Sequence, residues 1–111
     1  MDCIFCKISE KEVKADIVYE DDDIIAFKDL NPQAPTHILI ISKKHIESIL
    51  KAEEKDIELL GKINYTAKKI AEKYKITDFR IVNNCGRKVG QSVFHIHYHF
   101  LAGRRMAWPP G

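Results

Sequence analysis

Between Phe94 and Phe100 the chain reads Phe-His-Ile-His-Tyr-His-Phe, so His95, His97 and His99 alternate with large apolar residues. Side chains on a strand alternate between faces, which puts the three imidazoles on one side and Phe94, Ile96, Tyr98 and Phe100 on the other. Imidazole titrates near pH 6.5, so at neutral pH much of it offers a free lone pair to a metal or an electrophile. The stripe suits either zinc-centred hydrolysis or direct nucleophilic attack. Same-face neighbours on a strand stand about 6.6 Å apart, which separates His95 from His99 by roughly 13 Å at the backbone. A zinc ion holds nitrogen at about 2.0–2.1 Å, so it takes two neighbours and a ligand from elsewhere, leaving the third histidine another role. Attack on phosphorus needs, besides the nucleophile, donors aimed at the non-bridging oxygens. The segment before the stripe supplies short side chains and approachable amides at Asn84, Gly86, Gly90, Gln91 and Ser92.

A second chemical group is Cys3-Ile4-Phe5-Cys6, whose two-residue gap lets two thiolates share a tetrahedral zinc; the alternative is a pair of thiols that only pack. The three cysteines are an odd number and too few for a disulfide scaffold, and Cys85 has no partner in sequence.

These groups must be placed by a small set of elements. Short β-branched and aromatic runs predict strands over Ile17 to Glu20, Ile24 to Lys28, Ile38 to Ser42, Phe79 to Asn83 and Val93 to Leu101, the first two joined by a hairpin at Asp21 to Asp23. From Glu53 to Tyr74, Ile57, Leu60, Ile63, Ala67, Ile70, Ala71 and Tyr74 recur at three- and four-residue steps, with acids before them and lysines near the end. That is one long helix. The expected class is α+β, with a five-stranded antiparallel sheet and the helix against one face.

With 111 residues, 45% of them hydrophobic and 31% charged, the chain is expected to fold as one domain over 1–111. A net charge of +2, with basic and acidic residues intermixed, gives a nucleic-acid groove little support. No run approaches the ~20 apolar residues of a membrane span, and charges interrupt any signal-like core near the start, so a cytoplasmic protein is expected.

The His-x-His-x-His run resembles the motif of the histidine triad family, and the likeness extends across nearly the whole chain. It includes Cys3-Ile4-Phe5-Cys6-Lys7-Ile8, Asn31-Pro32-Gln33-Ala34-Pro35-Thr36-His37, Lys43-Lys44-His45-Ile46, Gly90-Gln91-Ser92-Val93 and the ending Trp108-Pro109-Pro110-Gly111. The nucleotide-binding branch is the most similar. That resemblance implies the family fold, with a short helix beside the long one, and a homodimer whose sheets join. It implies hydrolysis of purine nucleoside 5′-phosphoramidates or related monophosphate derivatives through a nucleotidyl-histidine on His97, with no metal required for the step. His95, His99 and His37 would orient the nucleophile and relay protons. Asp29 would hold the ribose hydroxyls, and Ile4, Phe5, Ile8, Phe27 and Leu30 would wall the base. Asn84 and Ser92 match phosphate-contacting positions, beside Gly90 and Gln91, and Trp108 would reach the partner's site. Bacterial relatives often pair the two cysteines with two histidines, which implies a structural zinc on Cys3, Cys6, His45 and His95. Val89 departs from the Ala or Gly usual in the phosphate loop. Two other readings stay open: a zinc-dependent hydrolase using His95 and His97 as ligands and Asp29 as base, and a nucleotide-binding scaffold for protein interaction.

Overall fold

The computed structural model describes residues 2–111. A single antiparallel sheet has the order β1-β2-β3-β5-β4, from β1 (Ile17–Glu20), β2 (Ile24–Lys28), β3 (Thr36–Ser42), β4 (Phe79–Val82) and β5 (His97–Ala102). Helix α1 (Ile4–Ser9) and the long helix α2 (Ile57–Tyr74) cover opposite faces. On the α2 side Ile24, Ala26, Ile38, Ile40, Ile96, Tyr98 and Phe100 meet Ile63, Ala67 and Ile70. On the α1 side Phe5 and Ile8 meet Ile25, Phe27, Leu39 and Ile41. Strand β2 is buried on both faces, which is why it reads as an unbroken apolar run. The turn before it forms as expected, with Asp21 Oδ1 accepting from the amides of Asp23 and Ile24 at 2.8 Å each.

Three sequence expectations are corrected in detail. The helix begins at Ile57, after a 3₁₀ turn over Glu54–Asp56, and its expected apolar row packs only through the middle: Ile57 is 67% exposed and Tyr74 42%. An 18-residue helix is about 27 Å long, more than the strands beneath it span, so its ends overhang the sheet. The last strand begins at His97 instead of Val93. Residues 93–96 instead tie to the far end of β3: Ile96 N–H donates to Ile46 O at 2.6 Å, and a His95 ring nitrogen meets Ser42 O. Phe94, expected against α2, is 37% exposed and lies under the Arg87 guanidinium, 4.9 Å from the ring centre.

The chain leaves β5 at Gly103 with φ 98°, where a Cβ would lie 2.8 Å from Pro35 Cβ. This close approach seats the loop before β3 against the end of β5. No helix among the described residues is long and apolar enough to cross a membrane.

Candidate functional site

Strand β5 lies between β3 and β4, so the histidines it carries are held from both sides: Ile41 pairs His97, while Leu39 and Val82 both pair His99. Their imidazoles share the α1 side with His37 of β3, and the rings of His97 and His99 stand 5.2 Å apart.

Backbone groups fix the protonation of His97 and His37, since a carbonyl only accepts and an amide only donates, and His37 passes its choice to His99. His97 Nδ1–H donates to the His95 carbonyl at 2.7 Å, which leaves the lone pair of His97 on Nε2. The Gln33 amide donates to His37 Nδ1 at 2.9 Å, so His37 carries its proton on Nε2. His37 Nε2–H then donates to His99 Nδ1 at 2.9 Å, and His99 keeps its proton on Nε2. Asp29 Oδ2 stands 3.4 Å from His37 Nε2, while its Oδ1 accepts from the Asn31 amide at 2.8 Å. One backbone amide thus sets the tautomers of two histidines in series.

Burial keeps these rings neutral. It lowers His97, against the opposing pull of the His95 carbonyl and the Asp29 charge. Burial, then the neighbouring His97 and His37, lower His99 to about 4, and burial lowers His37 against Asp29. At pH 7 the site therefore presents a neutral nucleophilic nitrogen beside a neutral N–H donor.

The rings open onto a cleft of about 280 Å³ whose apolar wall includes Ile4, Phe5, Ile8, Phe27 and Leu39. Asp29, Ser92, His97 and His99 line its polar side, with Lys14 and Lys28 also contributing. The expected base wall is thus brought together, although Leu30 is a rim residue, 99% exposed. Ser92 lies in the lining; Asn84, Gly90 and Gln91 do not. Gln91 is buried and its amide serves the loop, accepting from Gly86 N and donating to Glu47 O and Val93 O. Asn84 packs against Gly90, which has φ 101°. Trp108 is 83% exposed in this chain. A larger depression of about 680 Å³ beside β4, lined by Arg80, Arg104, Arg105 and Met106 among others, holds none of the histidines.

His95 faces a different cluster. Its Nδ1 lies 3.4 Å from Cys3 Sγ, 3.6 Å from Cys6 Sγ and 3.2 Å from His45 Nδ1, and Cys6 Sγ lies 3.4 Å from His45 Nδ1. A tetrahedral zinc with its usual bond lengths needs N···N of about 3.3 Å and S···N of about 3.6 Å, so the four donors fit. The tautomer fits too. His95 Nε2–H donates to Ser42 O at 2.6 Å, turning the Nδ1 lone pair towards the thiols. Cys3 Sγ also accepts from the Cys6 amide at 3.4 Å, a contact that would favour the thiolate a metal binds. Without a cation, burial and the adjacent Cys3 push the Cys6 thiol up to about 11.

Asp29, His37 and His99 also converge closely enough to suggest a second metal site. The tautomers exclude it in this arrangement, because the His37 nitrogen facing His99 already carries a proton. Nor do His95 and His97 converge as ligands of one hydrolytic zinc: the His95 ring belongs to the cysteine cluster, and His97 Nδ1 is held by a carbonyl. What orients His97 is the backbone oxygen of His95, not its imidazole. Sequence reading missed that carbonyl and the Gln33 amide, because backbone donors and acceptors leave no residue-type signature; Gln33 was visible only within the Asn-Pro-Gln-Ala-Pro turn.

A family model described as "Scavenger mRNA decapping enzyme C-term binding" matches residues 2–107. A 14 kDa zinc-binding protein of Zea mays is 51% identical, with 97% of this chain and 87% of that protein covered. Adenylylsulfatase HINT1 of Arabidopsis thaliana is 48% identical over 97% of this chain and 76% of its own length. The crystal structure of a HIT family hydrolase from Legionella pneumophila Philadelphia 1 superimposes with a TM-score of 0.96 at 49% identity, covering 99% of this chain and 100% of the other. Sequence and fold agree over almost the full length, and on both counts this chain belongs to the histidine triad family.

Proposed function

We propose that this protein hydrolyses nucleoside 5′-monophosphate derivatives, purine 5′-phosphoramidates in the first place, through a covalent nucleotidyl-His97. The observation that carries the reading is the 2.7 Å hydrogen bond from His97 Nδ1–H to the His95 carbonyl, which commits Nε2 to the cleft as a neutral nucleophile. In the first step Nε2 bonds to phosphorus while the leaving group departs with the bonding pair, an amine also taking up a proton. In the second, water attacks phosphorus, His97 is released, and the water's surplus proton balances the one taken up. Two easier displacements replace one difficult one.

His99 Nε2–H and Ser92 are side-chain donors at the cleft, beside Lys14 and Lys28, for the phosphoryl oxygens, and the apolar wall around Phe5 and Phe27 takes the base. Asp29 retains acceptor capacity for ribose hydroxyls beyond its bond to the Asn31 amide. The Arabidopsis relative's name, adenylylsulfatase, supports the same chemistry with sulfate as leaving group. Cys3, Cys6, His45 and His95 would hold a structural zinc, which when bound supplies a closed four-ligand tie and no open position for substrate. The active form is a homodimer joined at the open edge of β4, the strand that ends the sheet on the β5 side.

Hydrolysis of adenosine 5′-phosphoramidate and of adenylyl sulfate by wild type and a folded His97→Ala variant tests this. Wild type turns over both, quenching in alkaline denaturant, where the P–N bond to imidazole survives, traps a nucleotidyl adduct on His97, and the variant loses roughly 10³-fold or more. Undiminished turnover in the variant would overturn the nucleophile assignment.

A further inference from the structure

The metal-binding cluster and the cleft share more than neighbouring positions. Helix α1 has six residues, too few to persist without tertiary support. Its N-cap is Cys3 and its third residue is Cys6, both in the cluster. Between them stand Ile4 and Phe5, both in the cleft wall. The Phe5 ring meets His97 edge-on at 5.1 Å between centroids, His95 at 5.9 Å and Phe27 at 5.5 Å. From the opposite side, His95 places its ring in the cluster and its carbonyl on His97 Nδ1. His45 closes the set, and the segments carrying the two histidines are tied by Ile96 N–H to Ile46 O. The same four donors therefore position both the wall that would take the base and the oxygen that orients the nucleophile.

We propose that the Cys3–Cys6–His45–His95 centre is thermodynamically coupled to the nucleotide cleft through Phe5, which acts as a positioning residue. This rests on the nucleotide-hydrolase reading given above. With zinc held by the four donors, α1 is clamped at its first turn and Phe5 stays against His97. Without it, two thiols and two imidazoles meet within 3.2–3.6 Å along the contacts given above, and α1 is retained by packing and by thiol–imidazole contacts weaker than metal bonds. Coupling of this kind is reciprocal: whatever factor zinc adds to nucleotide affinity, nucleotide must add to zinc affinity. A centre that only staples the N-terminal segment to the sheet would show no such response.

The test uses the zinc-loaded wild type with adenosine 5′-monophosphate as probe. Calorimetry first measures binding of the nucleotide. A competing chelator then reads zinc affinity with saturating nucleotide and with the same concentration of inorganic phosphate. The expected result is zinc held about 5- to 150-fold tighter with the nucleotide than with phosphate. A Phe5→Ala variant should still bind one zinc, yet the nucleotide's effect should shrink towards onefold, while Phe5→Leu keeps part of it. Because wild type carries the primary readout, no variant needs to fold for the answer to count. Nucleotide that binds with its usual heat but leaves zinc affinity unchanged overturns the coupling alone. Absence of binding heat at two well-separated temperatures overturns the nucleotide reading and the coupling with it.

Discussion

The Gln33 amide is the smallest decisive group in the molecule. It determines where His37 carries its proton, and through His37 where His99 does. The neutral state of these rings has a consequence for pH. His99 is lowered in the folded chain to about 4, and its ordinary value in an unfolded chain is near 6.5. Between those values the unfolded chain binds more protons, so the stability that His99 contributes is complete above pH 6.5 and is lost as pH falls towards 4. Urea midpoints of wild type and His99→Gln at equal zinc loading should therefore converge as pH drops from 7.5 to 4.5. Parallel curves would show that His99 titrates alike in both states. Residue types made the three histidines and the cysteine pair legible in the sequence. The division of labour among them was not, because it depends on which nitrogen meets which backbone group, and partners such as Cys3 and His95 lie 92 residues apart.

At the scale of elements, the sequence marked β1 and β2 at their observed bounds, because acidic turns and β-branched runs delimit them sharply. It misplaced the start of β5. The alternation of residue types continues through Val93 to Ile96, but those residues bond to the end of β3 and the loop after it instead of joining the ladder. Alternation records which face a side chain takes, not whether the backbone is paired. The loop ahead of β3 depends on a contact with no pattern at all, Gly103 against Pro35. Gly103→Ala must strain a backbone at φ 98° and push a methyl into a rigid proline ring. It should cost about 1–3 kcal/mol in denaturant unfolding, and it should lower turnover beyond that loss, because the displaced loop carries the Gln33 amide. A stable variant of normal activity would separate the loop from the site.

Across the whole molecule, the net charge of +2 conceals a division. Asp78 is the last acid in the chain, and the 33 residues after it carry Arg80, Arg87, Lys88, Arg104 and Arg105. That segment holds β4, the loop through Gly90 to Ser92 and His95, His97 and His99, so the proposed anionic substrate would meet a positive background there. Overall composition hides this, and position along the chain reveals it. The open edge of β4 lies on the same side, next to the arginine-lined depression. Light scattering should return twice the 12.8 kDa chain mass at micromolar concentration, and Ile81→Pro, which removes a β4 amide, should lower it. A monomer of full activity would sink the dimeric reading.

The histidines proposed to carry the chemistry sit beside or on a strand bonded on both sides, while Ile4, Phe5 and Ile8 of the cleft wall come from a six-residue helix. Backbone ladders resist change, because a substitution there disturbs two neighbours at once; a short helix can vary its outward side chains and keep Cys6 and the capping Cys3. Descendants of such a chain can shift their preference among bases by altering Ile4, which is exposed at the cleft, while Phe5 and Ile8 stay packed on the sheet and the histidines stay where they are. Diversification of substrate range and preservation of mechanism are thus assigned to different pieces of the same 111 residues.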